Sequence, residues 1–209
     1  MHIVASAAFA VLALAAVPAS AQSSPAARVP LVASDTQDPI VGPIFGGIKS
    51  RGGEPLNMHR AVANAPKIFK AYVDMAITLR TAAITPRADR ELIILRTAQL
   101  GGGEYEFAQH RPMAMSCGIT VAQLDALKAW KTSTLFSDKQ RALLAYTDGM
   151  VSPQGVDNAT YAALERFYNP QEIVELTVTS AFYGAVSQIT RSLAVQLEAN
   201  AGQTAYGAC

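Results

Sequence analysis

Ahead of three helix-like runs in the second half of this 209-residue chain, a small polar residue stands three positions before Gln or Glu: Thr120 before Gln123, Ser137 before Gln140, and Asn169 before Glu172. At that spacing the first side chain accepts from the backbone N–H of the third helical residue, and the Gln or Glu answers the N–H of the first. Two orphan donors at a helix start are thereby satisfied together. Each pair predicts a helix N-terminus. Other boundaries agree in kind: Pro66 opens a helix to about Thr81, and Thr85 followed by Pro86 reads as an N-cap before a first-turn proline, with a helix to about Leu100. Gly101, Gly102 and Gly103 break that helix, and the next runs from Glu104 to Cys117, where Gly118 suits a left-handed C-cap. A shorter helix is predicted over Ala159 to Phe167. Between these marks Ala, Leu, Glu, Gln, Lys and Arg are plentiful and runs of β-branched residues are few, so the chain reads as all-α. The final long segment, PQEIVELTVTSAFYGAVSQITRSLAVQLE, is apolar around most of its circumference. Such a helix is buried, in its own core, against another subunit, or both.

The first 21 residues have an uncharged apolar stretch from Ile3 to Val17 and a small-x-small pattern, Ala19-Ser20-Ala21, ahead of Gln22. This predicts a signal peptide cut after Ala21 and a periplasmic or secreted product with no membrane attachment after cleavage. Residues 22–56 are rich in Pro, Gly and Ser and predict an extended arm lying on the domain; residues 57–199 form the helical domain, and 200–209 a loose tail. Lys and Arg number 17 against 16 Asp and Glu, so nothing in the charge recommends nucleic acid or an anionic membrane as partner. Cys117 and Cys209 are the only cysteines, too few for a disulfide scaffold, although an oxidising compartment permits one bridge.

The chemistry-bearing residues concentrate in GGGEYEFAQH, residues 101–110. The glycines allow the chain to reverse, so the helices carrying Glu91 and His110 form an antiparallel hairpin, the two residues lying roughly 15 Å and roughly 12 Å from the turn. Glu106 and His110 are one helical turn apart and share a face. Where that face meets the preceding helix, Glu91, Glu106 and His110 converge. A carboxylate orients an imidazole, and histidine moves protons near neutral pH, so the trio suits general acid–base chemistry. Two other readings use the same residues. Acids in the first turn of a helix are favoured by its dipole, and Glu106 with His110 is an ordinary i,i+4 pair. Two carboxylates and a histidine also suit a metal with open positions, although no CxxC or HExxH accompanies them. His59, in NMHRAVANAP, reads as a solvated or helix-entry histidine rather than a site residue. Asn158-Ala159-Thr160 fits a glycosylation acceptor, which matters only for a eukaryotic secreted protein.

The run from Ile84 to Gly118, ITPRADRELIILRTAQLGGGEYEFAQHRPMAMSCG, resembles the carboxymuconolactone decarboxylase family, whose superfamily includes the alkyl hydroperoxidase D proteins. Its pattern is a Pro-x-x-x-x-Glu helix, a glycine turn, a Tyr-Glu-aromatic-x-x-His helix and a terminal Gly; a weaker likeness extends from Leu56 to Leu197. The redox branch of the superfamily carries a Glu, a Cys-x-x-Cys, and a His one turn on. Glu91 and His110 match, but Gly103 and Glu106 occupy the cysteine positions. Thiol peroxidase chemistry needs a thiolate and a resolving thiol at that place, and Cys117 lies two turns beyond His110.

The resemblance therefore implies the non-redox side: a cofactor-free lyase or isomerase acting on a small carboxylated lactone or keto acid, built as an alkyl hydroperoxidase D-like helical subunit that assembles as a homotrimer or homohexamer. It implies His110 as proton donor or shuttle, Glu106 as its orienting partner or a second acid/base, and Glu91 as a relay member. Tyr105 is expected to donate a hydrogen bond to substrate and Arg96 to hold a substrate carboxylate. The alternatives are a thiol-independent peroxidase-like or other redox protein, and a non-catalytic small-molecule-binding oligomer.

Overall fold

The computed structural model describes residues 27–201 and residue 209. The signal peptide expected over 1–21, with its cut after Ala21, lies outside the described residues, as does most of the tail from 200 to 209. The described residues contain helices and turns and no strand. In chain order the helices are α1 (Val41–Lys49), α2 (Asn57–Val62), α3 (Pro66–Thr81), α4 (Arg87–Gly101), α5 (Glu104–Ser116), α6 (Val121–Ala126), α7 (Asp138–Val151), α8 (Asn158–Glu165) and α9 (Pro170–Ser192), with a 3₁₀ turn, Leu127–Ala129, after α6.

All three capping boxes form: Thr120, Ser137 and Asn169 each accept from the backbone N–H three residues on, and the paired Gln or Glu closes the box. The start of α4 differs from expectation. Pro86 is the N-cap, while the Thr85 N–H and hydroxyl both donate to Glu175 Oε2 at 2.9 and 3.0 Å, tying the α3–α4 connection to α9. The arm expected over 22–56 is extended from residue 27 to about 40 and packs Val29, Leu31 and Val32 onto the domain, but it then forms α1. Pro43 stands in the first turn of α1, where its missing N–H costs nothing. Asp38 Oδ1 accepts from the Ile40 and Val41 N–H groups at 2.8 Å, and Val41 and Phe45, one turn apart, are buried. Capping and burial thus outweigh the weak propensity of Gly46 and Gly47.

The hairpin of α4 and α5 organises the domain. Gly102 ends α4 in the left-handed region at φ 64°. A Cβ on Gly103 would collide with the side chain of Ser187, lying 2.7 Å from its Cβ, so glycine there lets α5 start against α9. Helix α4 packs on α5, α7 and α9, and every residue from Asp89 to Ala98 is buried. The fully surrounded helix is therefore α4, whereas α9 buries Ile173, Leu176, Tyr183 and Val186 and leaves Val174 and Val178 exposed. The charges that α4 carries inward are paired. Arg90 donates to the Leu79 and Arg80 carbonyls at the end of α3, Asp89 meets Lys139 at 2.8 Å, and Arg96 meets Asp148 at 2.6 Å. A disulfide joins Cys117, the C-cap of α5, to Cys209, with Cα atoms 5.1 Å apart. No described helix is long and apolar enough to cross a membrane.

Candidate active site

Glu91 lies wholly inside the protein on α4, between α5 and the side chain of Arg87. Arg87 Nε donates to Glu91 Oε1 at 2.6 Å, and the other oxygen, Oε2, is 2.8 Å from His110 Nδ1. Burial pushes the Glu91 carboxyl up, but His110 and Arg87 outweigh it and hold the group below its ordinary range. An ionised carboxylate accepts only, so His110 donates to it through Nδ1–H. The edge-to-face contact of His110 with Tyr183, centroids 4.7 Å apart, fixes the ring from the side of α9.

His110 belongs to the wall of a cavity of about 270 Å³. Its lining is largely apolar, with Ile48, Leu56, Val73, Ile77 and Met113 among its residues, and its polar side chains include His59, Arg80, Glu106 and His110. Glu106, one turn before His110, is 3% exposed, and its Oε1 has no hydrogen-bond partner. Burial first, and then the carboxylate of Glu198, push its carboxyl up to about 8, so it is predominantly protonated at neutral pH. A buried carboxyl oxygen left unpaired beside a cavity marks a place where a ligand atom completes the bonding. The two acids thus differ in state: Glu91 is an anion behind the histidine, and Glu106 a neutral acid beside it. Such a separation assigns base-orienting and acid roles within one site.

The sequence-derived roles change accordingly. Glu91, not Glu106, is the orienting partner of His110. The Tyr105 hydroxyl donates to Glu198 Oε1 at 2.7 Å and accepts from the Met58 N–H at 3.3 Å; Gln109 and the Asn57 N–H also donate to Glu198. Tyr105 lines the cavity, but its hydroxyl is committed to holding the segment after α9 in place. Arg96 does not line the cavity: its guanidinium donates to Asp148, Gln99 and the Leu127 carbonyl on the side of α4 that faces α7. The arginines in the cavity wall are Arg51 and Arg80, and these replace Arg96 as candidates for holding a carboxylate. His59, expected to be a solvated or helix-entry histidine rather than a site residue, does stand at the entry of α2, but it is packed within the cavity wall against Phe69 and Tyr72. No sequence signal pointed to it, because those neighbours come from α3. Both Glu91 oxygens are engaged, by Arg87 and His110, and no group of three or more His, Cys, Asp or Glu among the described residues is placed to hold an ion.

Residues 66–149, which span α3 to α7, match the carboxymuconolactone decarboxylase family model. Among solved structures, an uncharacterised peroxidase-related protein from Ralstonia eutropha JMP134, with an alkyl hydroperoxidase D core, superposes with a TM-score of 0.75 at 15% identity, over 90% of this chain and all of that one. A debrominase, Bmp8, gives 0.66 at 20% identity over 77% of this chain and 87% of its own, and one of its structures holds 2,3,4-tribromopyrrole. A protein of unknown function from Agrobacterium tumefaciens gives 0.62 at 20% identity, covering 66% and 94%. No protein in the curated set matches the sequence significantly. The matched segment contains the helical hairpin and the Glu91–His110 pair, so this part of the chain is similar to the carboxymuconolactone decarboxylase family, and the chain shares the alkyl hydroperoxidase D-like fold, with Gly103 and Glu106 where a Cys-x-x-Cys motif would stand.

Proposed function

We propose that this protein is an exported lyase or isomerase that moves protons on a small carboxylated lactone or keto acid. The observation that carries the reading is the pairing, in one largely apolar cavity, of a histidine backed by an ionised carboxylate with a second carboxyl that keeps its proton. In an isomerisation His110 Nε2 takes a proton from carbon next to a carbonyl, the electron pair moves onto the carbonyl oxygen, and Glu106 returns a proton to carbon at another position. In a decarboxylation the bond to the carboxylate breaks, the pair moves to the same oxygen as CO2 leaves, and the protonation step is unchanged. Arg80 supports the reading by placing positive charge at the cavity wall, where a substrate carboxylate is attracted. The family supplies the lactone and keto-acid class, and a small flat ring bound in the debrominase structure agrees with a cavity of this size. Assembly into a trimer or hexamer belongs to the same reading, supported by the exposed Val174, Val178 and Ile84.

The test is CO2 release, and deuterium exchange at carbon followed by NMR, from a panel of γ-carboxylactones and β-keto acids, with protein starting at Gln22. His110→Ala is expected to lose the activity. An alanine protein that keeps full turnover of a substrate found this way excludes His110 as the proton-transfer group.

A further inference from the structure

We propose that His59 is the oxyanion donor of this cavity: its Nε2–H hydrogen-bonds the oxygen onto which the electron pair moves, which makes an enolate-forming or phenol-like ring compound the ligand class. The inference rests on the acid–base reading for its place in a reaction, but its binding chemistry stands apart from it.

The geometry begins three residues earlier. The Leu56 N–H, the N-cap donor of α2, points at His59 Nδ1 at 3.3 Å. A nitrogen that accepts cannot carry a proton, so the neutral ring holds its hydrogen on Nε2. The bond from Leu56 takes Nδ1 and not Nε2, and His59 is part of the cavity wall. The ring is set against Phe69 and Tyr72, with centroids 6.1 and 6.5 Å away, so it is packed on its faces. Burial, and next the charge of Arg80, push His59 down to about 4. It therefore stays a neutral donor where an exposed histidine would be exchanging protons. A neutral imidazole that polarises a carbonyl without giving up its proton is an established catalytic device.

Two histidines held by opposite bonds at Nδ1 thus line one cavity: His110 donates from Nδ1 to Glu91, whereas His59 accepts there from Leu56 and carries its proton on Nε2. With the neutral Glu106 acid, His59 makes a second donor in largely apolar surroundings, and donors in such surroundings bind developing negative charge strongly. A cavity of about 150 Å³ holds benzene, so about 270 Å³ accommodates one substituted ring. Removal of a proton from carbon in such a ligand leaves the pair on oxygen, where His59 and Glu106 donate to it.

A phenolate mimics the enolate without reacting. At neutral pH 4-nitrophenol is partly ionised, and its visible absorbance reads the phenolate fraction; 4-nitroanisole has a similar shape and cannot ionise. Binding to the protein is expected to raise the phenolate absorbance. His59→Phe keeps the ring packing and removes the donor, and it should weaken phenolate binding about tenfold or more, as for loss of a hydrogen bond to a charged group, while nitroanisole binding stays unchanged. His59→Gln should recover part of the loss. In the unsubstituted protein the His59 Nε2–H resonance should move downfield on adding 4-nitrophenol, a readout that survives poor folding of either variant. Phenolate binding unaffected by His59→Phe, or an Nε2–H resonance that does not respond, overturns the proposal. Phenolate binding that depends on His59 alongside a complete absence of turnover upholds the donor and defeats only the acid–base reading.

Discussion

Replacing Glu106 by Gln should make the protein more stable as the pH rises and less active at the same time. Gln keeps the shape of a protonated Glu and cannot ionise. In the native protein the Glu106 carboxyl holds its proton to about 8, whereas the unfolded chain releases it near 4.5. Between those values the native state binds more protons than the unfolded one, so stability falls with rising pH, by about 1.4 kcal/mol per pH unit. His59 has the opposite sign. It is held down to about 4 from 6.5, so the unfolded chain takes up its proton first and stability rises with pH in that range. From 4.5 to 6.5 the two slopes oppose each other. From 6.5 to 8 Glu106 acts alone, and the unsubstituted protein should lose on the order of 2 kcal/mol, which the Gln protein keeps. The assay is urea unfolding of both proteins at several pH values across this range, with unchanged denaturant slopes as the sign that the two states are the same. The difference in stability should widen steadily with pH, and groups common to both proteins cancel from it. If the two stability curves run parallel from pH 4.5 to 8, Glu106 ionises as an ordinary carboxyl, and its assignment as the acid fails with it.

Other substitutions probe separate parts of the structure. Gly103→Cys, which restores one thiol position of the redox relatives, should destabilise the fold by about 1–3 kcal/mol through its clash with Ser187, measured by the shift in urea midpoint, and should give no thiol-dependent peroxide consumption. Reduction of the Cys117–Cys209 disulfide, which closes a long loop at a sequence separation of 92, should cost about 2–4 kcal/mol in stability, read from unfolding with and without a thiol reductant. Val174→Glu combined with Val178→Glu should dissociate the proposed oligomer in light scattering and leave the helical circular dichroism unchanged; a variant of unaltered mass would place the interface elsewhere.

What the sequence made legible was local. Capping boxes are read from residues three apart, and Pro66 to Thr81 needed only a proline and a run of helix formers; both elements form as expected. The meeting of Glu91 and His110 followed from hairpin arithmetic and a family pattern. The failures involve partners distant along the chain. Arg96 looked available because Asp148, which binds it, lies 52 residues away, and Tyr105 looked free because Glu198 lies 93 away. Thr85 has the composition of an N-cap but was recruited by Glu175 from α9. Helix α1 was hidden by three glycines and a proline because it is held by burial of Val41 and Phe45. The sequence of α4 includes Arg, Asp and Glu at intervals that hide a fully enclosed helix; each charge finds its partner only once α3, α5 and α7 are in place.

The exchange of cysteine for Glu106 changes more than the nucleophile. A helix N-terminus favours a negative group, typically by 0.3–1 kcal/mol near the surface, which is why a thiol there becomes a thiolate. Glu106 occupies the third residue of α5 and should by that rule be an anion. It is instead held protonated, because burial and the nearby Glu198 carboxylate oppose the dipole and exceed it. Glu198 keeps its position through donors from Tyr105, Gln109 and Asn57. The segment after α9 therefore has a direct bearing on the state of the site: it brings a fixed negative charge toward a buried acid and so favours its neutral form. With glycine at 103 and an acid at 106, the start of α5 keeps a proton beside His110, which is what the proposed transfer between carbon atoms requires.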